Sequence, residues 1–142
     1  MASELHLRVV TPDRTVIDRK VASVQFMGLD GSYGILPHHA PLLTATRPGI
    51  VTIKNSDGKT EQMLVTSGFA EVRDNVLSLV CQAGERAHEI DAARAAEAEQ
   101  RARARIAEQH DKSFDLPRAQ ESLRRAQLRQ LLAKRGGTGD IR

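Results

Sequence analysis

The chain changes its hydrophobic period once, near residue 90, and that change decides what it can fold into. Up to Cys81, apolar residues recur at every second position. Leu5, Leu7 and Val9 alternate with His6 and Arg8, and Ala22, Val24 and Phe26 alternate with Ser23 and Gln25. Leu77, Leu79 and Cys81 alternate with Ser78 and, less cleanly, with Val80. Neighbouring side chains of a strand point to opposite faces, so this is the pattern of strands with one buried face. Asn55-Ser56-Asp57-Gly58 separates Ile50–Lys54 from Gln62–Thr66, and Asp74-Asn75 separates Ala70–Arg73 from Val76–Val80. Asp, Asn and Gly accept the positive φ of tight turns, so two hairpins are predicted. Many short strands at close spacing predict a β-sandwich or flattened barrel.

Beyond Ile90 the period becomes helical. Asp91 is suited to cap free N–H groups of a first turn. Ala92 to Gln109 then holds no Gly, no Pro and no β-branched residue except Ile106, and alanine dominates. Glu97 with Arg101, Glu99 with Arg103 and Glu121 with Arg125 stand four apart in the favourable order. Asp111-Lys112-Ser113-Phe114-Asp115 reads as a turn, Asp115 as the cap of a second helix, Pro117 as a residue of its first turn, and Gly136-Gly137 as its stop. Leu116, Ala119, Leu123 and Ala126 form one stripe, which Leu128, Leu131 and Leu132 extend. The predicted fold class is β + α, an N-terminal β-sandwich followed by an antiparallel two-helix hairpin. The expected organisation is a β-domain over 1–84, a linker over 85–90, a hairpin over 91–135 and a flexible tail over 136–142. At ~1.5 Å per residue each helix would be about 25–30 Å long. Alanine methyls bury little area at ~25 cal/mol per Å², so the hairpin is expected near its stability limit, able to open and redock.

Charge follows the same division. The net charge of +3 is distributed as −1 over residues 1–90 and +4 over residues 91–135. A basic helical surface is either a solvated face or a face for acidic protein or phosphate. Cys81 is the single cysteine, so neither an internal disulfide nor a cysteine zinc site can form. His38 and His39 are adjacent and would diverge on a strand, and no metal-ligand spacing accompanies them. Ser67-Gly68 lacks the Gly-x-Ser-x-Gly frame of a nucleophile elbow. Gly136-Gly137-Thr138-Gly139 lacks the Lys-Ser/Thr of a phosphate loop. With no Trp, one Tyr and three Phe, the chain lacks a platform for stacking nucleic-acid bases. No apolar run approaches the ~20 residues of a spanning helix, and no signal peptide is visible at the N-terminus. The expectation is therefore a non-enzymatic docking protein of the cytosol, without membrane insertion and without nucleic acid as partner.

One segment is more specific than propensity requires. Asp30-Gly31-Ser32-Tyr33-Gly34-Ile35-Leu36-Pro37-His38-His39-Ala40-Pro41-Leu42-Leu43 resembles the Gly-Ile-Leu/Tyr-Pro-x-His-Ala-Pro-Leu signature of the epsilon subunits of F-type ATP synthases, called delta in mitochondria. Further pieces similar to that family occur in order. They are Val9-Val10-Thr11-Pro12, Arg47-Pro48-Gly49, Ser67-Gly68-Phe69-Ala70-Glu71-Val72 and the run from Glu85 to Ala95. The resemblance extends from about Leu5 to Leu132, and its architecture matches the one that periodicity predicts.

The resemblance implies a central-stalk rotor subunit, peripheral to the membrane on its cytoplasmic face. It couples the ring of c subunits to the gamma subunit and needs no cofactor. It implies contact with the c-ring through Asp30, Gly31, Ser32 and Tyr33, where an acidic residue often stands at the position of Ser32, and with gamma near His39. It implies a hairpin that moves between a folded and an extended state. Extended, its second helix meets an acidic segment of the catalytic beta subunits, beside alpha, and impedes ATP hydrolysis. Arg118, Arg124, Arg125, Arg129, Lys134 and Arg135 suit that contact. Ile90-Asp91-Ala92-Ala93-Arg94-Ala95 matches a motif with which some bacterial members bind regulatory ATP, and Glu85, Arg101, Arg125 and Arg129 match the accompanying positions. Asp91 serves equally well as a helix cap, and the arginines as solvated or partner-facing charges. Two alternatives to the rotor reading stay open: a stand-alone ATP sensor and a basic nucleic-acid-docking hairpin.

Overall fold

The computed structural model describes residues 3–107 and 115–134. Residues 111–114 of the turn expected over 111–115, Arg135, the Gly136-Gly137 stop and the tail lie outside the described residues. Within them the chain forms ten strands, one 3-10 turn and two helices. The strands are β1 (Leu5–Val10), β2 (Thr15–Val21), β3 (Ser23–Gly28), β4 (Gly31–Ile35), β5 (Leu42–Thr46), β6 (Gly49–Lys54), β7 (Thr60–Val65), β8 (Gly68–Arg73), β9 (Val76–Cys81) and β10 (Gly84–Arg86). The 3-10 turn spans Ala87–Glu89, and the helices are α1 (Ala92–Ala107) and α2 (Leu116–Lys134).

Hydrogen bonding runs β10-β7-β6-β3-β5-β8-β9-β1-β2, with β4 added to β3. β3 meets β5 only at Gly28 and Thr46, so the sheet folds there into two layers. All pairings are antiparallel except β1 on β9. The far edges approach each other. Arg19 on β2 donates to Glu61 on β7 at 2.9 Å and to the Asn55 side chain at 3.2 Å. Arg86 on β10 donates to the Val16 carbonyl on β2 at 3.0 Å. The result is a flattened, nearly closed barrel, whose seam is laced by two arginines.

The alternation read from the sequence governs the core. Leu5, Leu7, Val9, Val24, Phe26, Leu77, Leu79 and Cys81 all lie inside it. Burial also pushes the Cys81 thiol up in pKa. The expected hairpins form at Gly58 (φ 87°) and at Asp74-Asn75 (φ 51° and 62°). The segment 85–90 carries more order than a bare linker, since Glu85 and Arg86 belong to β10 and pair with Leu64 and Met63.

The hairpin also follows its sequence. The Asp91 carboxylate accepts from the Arg94 N–H at 3.1 Å, and the Asp115 carboxylate from the Arg118 N–H at 3.1 Å. Both are N-caps that satisfy orphan donors of the first turn. Ala95 and Ala102 of α1 and Ala119 and Ala126 of α2 are buried. A second, small cluster seats α2 on the sheet: Leu128 and Leu132 with Leu64 and Ala87, and with Ile50 and Ile90 at its margin. Leu131, expected to extend that contact, is instead 41 % exposed. At 100° per residue it lies off the stripe joining Leu128 to Leu132. The Glu99–Arg103 and Glu121–Arg125 pairs form at 2.7 and 3.4 Å. Arg101 lines a cleft instead of pairing with Glu97.

Candidate functional site

Three surfaces stand out, two of them built from residues singled out by sequence. The first is the β3–β4 hairpin, whose turn is Leu29-Asp30. Gly28 pairs with Gly31, and Gly31 takes φ 141°, a conformation that favours glycine. The Tyr33 hydroxyl donates to the Asp30 carboxylate at 2.9 Å, and the Tyr33 ring stacks on Phe26 with centroids 5.4 Å apart. Aromatic stacking thus ties the turn to the core. Arg47 donates its guanidinium to the Leu29 carbonyl and its N–H to the Met27 carbonyl. Ser32 is exposed, and Leu29 projects at the tip with 56 % exposure. Asp30 therefore stands in a braced turn, and Gly31, Ser32 and Tyr33, expected in a loop, begin the strand β4 that leaves it.

His39 lies on a neighbouring turn, where its N–H donates to the Leu36 carbonyl and its ring meets the Ala40 carbonyl at 2.7 Å. His38 takes φ 62°, and its N–H donates to the Asn75 side chain at 2.7 Å. Close by, strand register builds a second surface that the sequence reading did not single out. Ala45 pairs with Phe69, Phe69 with Val80, and Leu43 with Glu71. Leu43, Phe69 and Val80 stand outward, 72, 60 and 48 % exposed, on the face opposite the core. The signal was present as apolar residues at outward positions, in strands whose inward positions were already filled by Ala70, Val72 and Leu79. Clustered exposed apolar side chains mark an interaction surface.

The third surface is the junction of hairpin and sheet. Glu85, Ile90, Asp91, Arg94, Arg101 and Arg129 line one cleft of about 270 Å³, closed further by Glu89, Ala95 and Ala98. Strand β10 supplies Glu85, the cap of α1 supplies Asp91, and one face of α1 supplies Arg94 and Arg101 seven residues apart. Arg129 arrives from α2 and binds Glu85 through both prongs, Nε to Oε2 at 2.8 Å and Nη2 to Oε1 at 2.6 Å. Glu89 is fixed by the Arg86 N–H at 2.9 Å and by Arg14 at 3.1 Å. The Arg86 hydrogen bond, aided by Arg14, holds its carboxyl below the usual carboxylate range despite some burial. Arg125 is not brought into the cleft; it faces Glu121 at 3.4 Å and Ser122 at 3.3 Å. Arg118, Arg124 and Lys134 are exposed on α2, and Arg135 lies outside the described residues.

Comparison with known proteins gives these surfaces a common context. Residues 4–87 match the family model described as ATP synthase, Delta/Epsilon chain, beta-sandwich domain. Residues 88–130 match the one described as ATP synthase, Delta/Epsilon chain, long alpha-helix domain. The chain is 42 % identical over 129 residues to the ATP synthase epsilon chain of Nitratidesulfovibrio vulgaris (strain DP4), covering 91 % of this chain and 95 % of that one. It is 40 % identical over 134 residues to the ATP synthase epsilon chain of Dehalococcoides mccartyi, covering 94 % of each. Its fold is similar to a chain in a structure of the Euglena gracilis mitochondrial ATP synthase, OSCP/F1/c-ring in rotational state 1. The TM-score is 0.78 at 24 % identity, covering 92 % of this chain and 81 % of that one. Matched by both domain models in sequence order and by relatives over nearly its whole length, the chain belongs to the delta/epsilon family of ATP synthase chains.

Proposed function

We propose that the chain is a non-catalytic central-stalk subunit that couples the c-ring to gamma and restrains ATP hydrolysis through its hairpin. Family membership and the three separate surfaces support this reading. The apolar outer face of β5, β8 and β9 is the seat for gamma, with His39 at its border. The braced Leu29-Asp30 turn, with Gly31, Ser32 and Tyr33 at the start of β4, is the contact to the c-ring. Ser32 offers no charge there, so Leu29 and the backbone of the turn carry that contact. The exposed cations Arg118, Arg124 and Lys134 of α2 face acidic segments of the catalytic subunits once the hairpin extends, joined then by Arg125, Arg129 and Arg135. The chain is peripheral to the membrane, and among its described residues no helix is long and apolar enough to cross one.

The single observation that carries the docking role is the exposed row Leu43, Phe69 and Val80 on an otherwise well-alternated sheet. Phe69→Glu places a charge at its centre while leaving the inward residues untouched. Binding of the full chain to gamma, measured by calorimetry, is expected to weaken at least tenfold, with the melting temperature of the free chain little changed. Undiminished affinity would contradict the assignment of that face.

A second reading is favoured by the convergence of six singled-out residues on one cleft. Arg94, Arg101 and Arg129 present guanidinium groups suited to a polyphosphate, and regulatory ATP is the ligand proposed. Both prongs of Arg129 are held by Glu85, so a phosphate can take that edge only as Glu85 and Arg129 part. Saturable NMR shifts at Arg94 and Asp91 on titration with ATP are expected; none up to millimolar ATP would remove this second role.

A further inference from the structure

The hairpin touches the sandwich through very little. Besides the small cluster of Leu128 and Leu132 on Leu64 and Ala87, one ion pair among the described residues joins either helix to a strand, that of Arg129 with Glu85. Its position follows from register. Glu85 stands opposite Leu64 on the β10–β7 ladder, and Arg129 sits on α2 between the two leucines that pack there. Closing the apolar cluster therefore delivers the guanidinium to the carboxylate, 44 residues away in sequence.

We propose that Glu85 is a built-in carboxylate ligand that holds the hairpin folded and keeps Arg129 from any acidic partner. The geometry gives the reason. Nε and Nη2 of Arg129 are both committed to Glu85, at 2.8 and 2.6 Å, and each side chain is only about 30 % exposed. These two prongs form the edge that a carboxylate of another protein, or a phosphate, would use for a bidentate contact. Glu85 occupies that edge in the folded state and surrenders it when α2 leaves. The pair is therefore an intramolecular competitor. Every acidic surface that recruits α2 must first replace Glu85, and a mutation that removes Glu85 both loosens the hairpin and frees Arg129. The clasp itself rests only on the folded geometry; its consequence for hydrolysis rests on the inhibitory role proposed above.

The test uses the full chain and native-state hydrogen exchange, comparing helix amides with those of the core strands β1, β3 and β9. Glu85→Gln and Arg129→Gln are each expected to speed exchange in α1 and α2 about three- to tenfold, the scale of a part-exposed bidentate ion pair. The core strands serve as the internal control for folding. The double variant should exchange no faster than either single, and the charge swap Glu85→Arg with Arg129→Glu should recover most of the protection. Helix exchange in Glu85→Gln equal to that of the unaltered chain would overturn the clasp. In the assembled complex, Glu85→Gln should also deepen inhibition of ATP hydrolysis. Faster helix exchange with unchanged hydrolysis would uphold the clasp and instead remove the inhibitory role of the freed helix.

Discussion

At Gly68 the neighbouring strand leaves no room for a side chain. A Cβ there would stand 1.8 Å from the Val80 carbonyl oxygen and 2.8 Å from its carbon. Both are backbone atoms of a paired strand and cannot move aside as a flexible side chain would. Gly68→Ala is expected to lower stability by about 3 kcal/mol or more, read as a shift of the urea midpoint. Glu61 sets a second residue-scale limit. Burial pushes its carboxyl up, but the Arg19 hydrogen bond and charge outweigh that and leave it below the ordinary 4.5. A carboxyl lowered in the folded state adds stability that is complete above the unfolded pKa and is lost as pH falls through the folded one. Acid should therefore weaken the seam from about pH 4.5 downward. Glu61→Gln should flatten that part of the pH–stability curve, at a loss of about 1 kcal/mol near pH 7, the part-exposed setting of the pair keeping the effect small.

At the scale of elements, the hairpin and the barrel are held by unequal forces. The barrel core is one cluster drawn from strands of both layers, whereas α2 rests on the sheet through Leu128 and Leu132 alone among its buried leucines. Leu132 is fully buried and Leu131 is 41 % exposed, so neighbouring leucines should behave oppositely. Leu132→Ala is expected to cost about 2–4 kcal/mol of hairpin docking, and Leu131→Ala less than ~0.5 kcal/mol. Hydrogen exchange of helix amides against core-strand amides separates the two. Strands and helices with a clear period were legible in the sequence, and so were their caps and tight turns, because each is fixed by local chemistry. β10 was not, since Gly84-Glu85-Arg86 is too short to show a period and becomes a strand only because β7 offers a free edge. The arginine-laced seam and the Glu85–Arg129 pair were equally hidden, being contacts between residues 36 to 70 positions apart in the chain. The residues of the cleft could be named from a motif, but their mutual engagement could not. Leu43, Phe69 and Val80 were visible as outward apolar positions, yet only strand register places them side by side.

At the scale of the whole molecule, a nearly closed barrel carries a helical arm seated on it by a small apolar cluster and the Glu85–Arg129 ion pair. The body presents an apolar face and a braced hairpin turn at separate places, which suits a part held between two partners. The arm carries all of the net positive charge, the body being slightly negative, and in the folded state it shares Arg129 with the body. A few kcal/mol of partner contact suffices to move such an arm between two positions. The decisive measurement is ATP hydrolysis by a complex assembled from the catalytic subunits and gamma, with the chain titrated in. The unaltered chain should lower hydrolysis. A variant with Arg118→Glu, Arg124→Glu and Lys134→Glu, all exposed in the folded state, should bind gamma equally well and restore most of the activity. Equal inhibition by the two chains, or none by the unaltered one, would contradict a regulatory subunit acting through its basic helix.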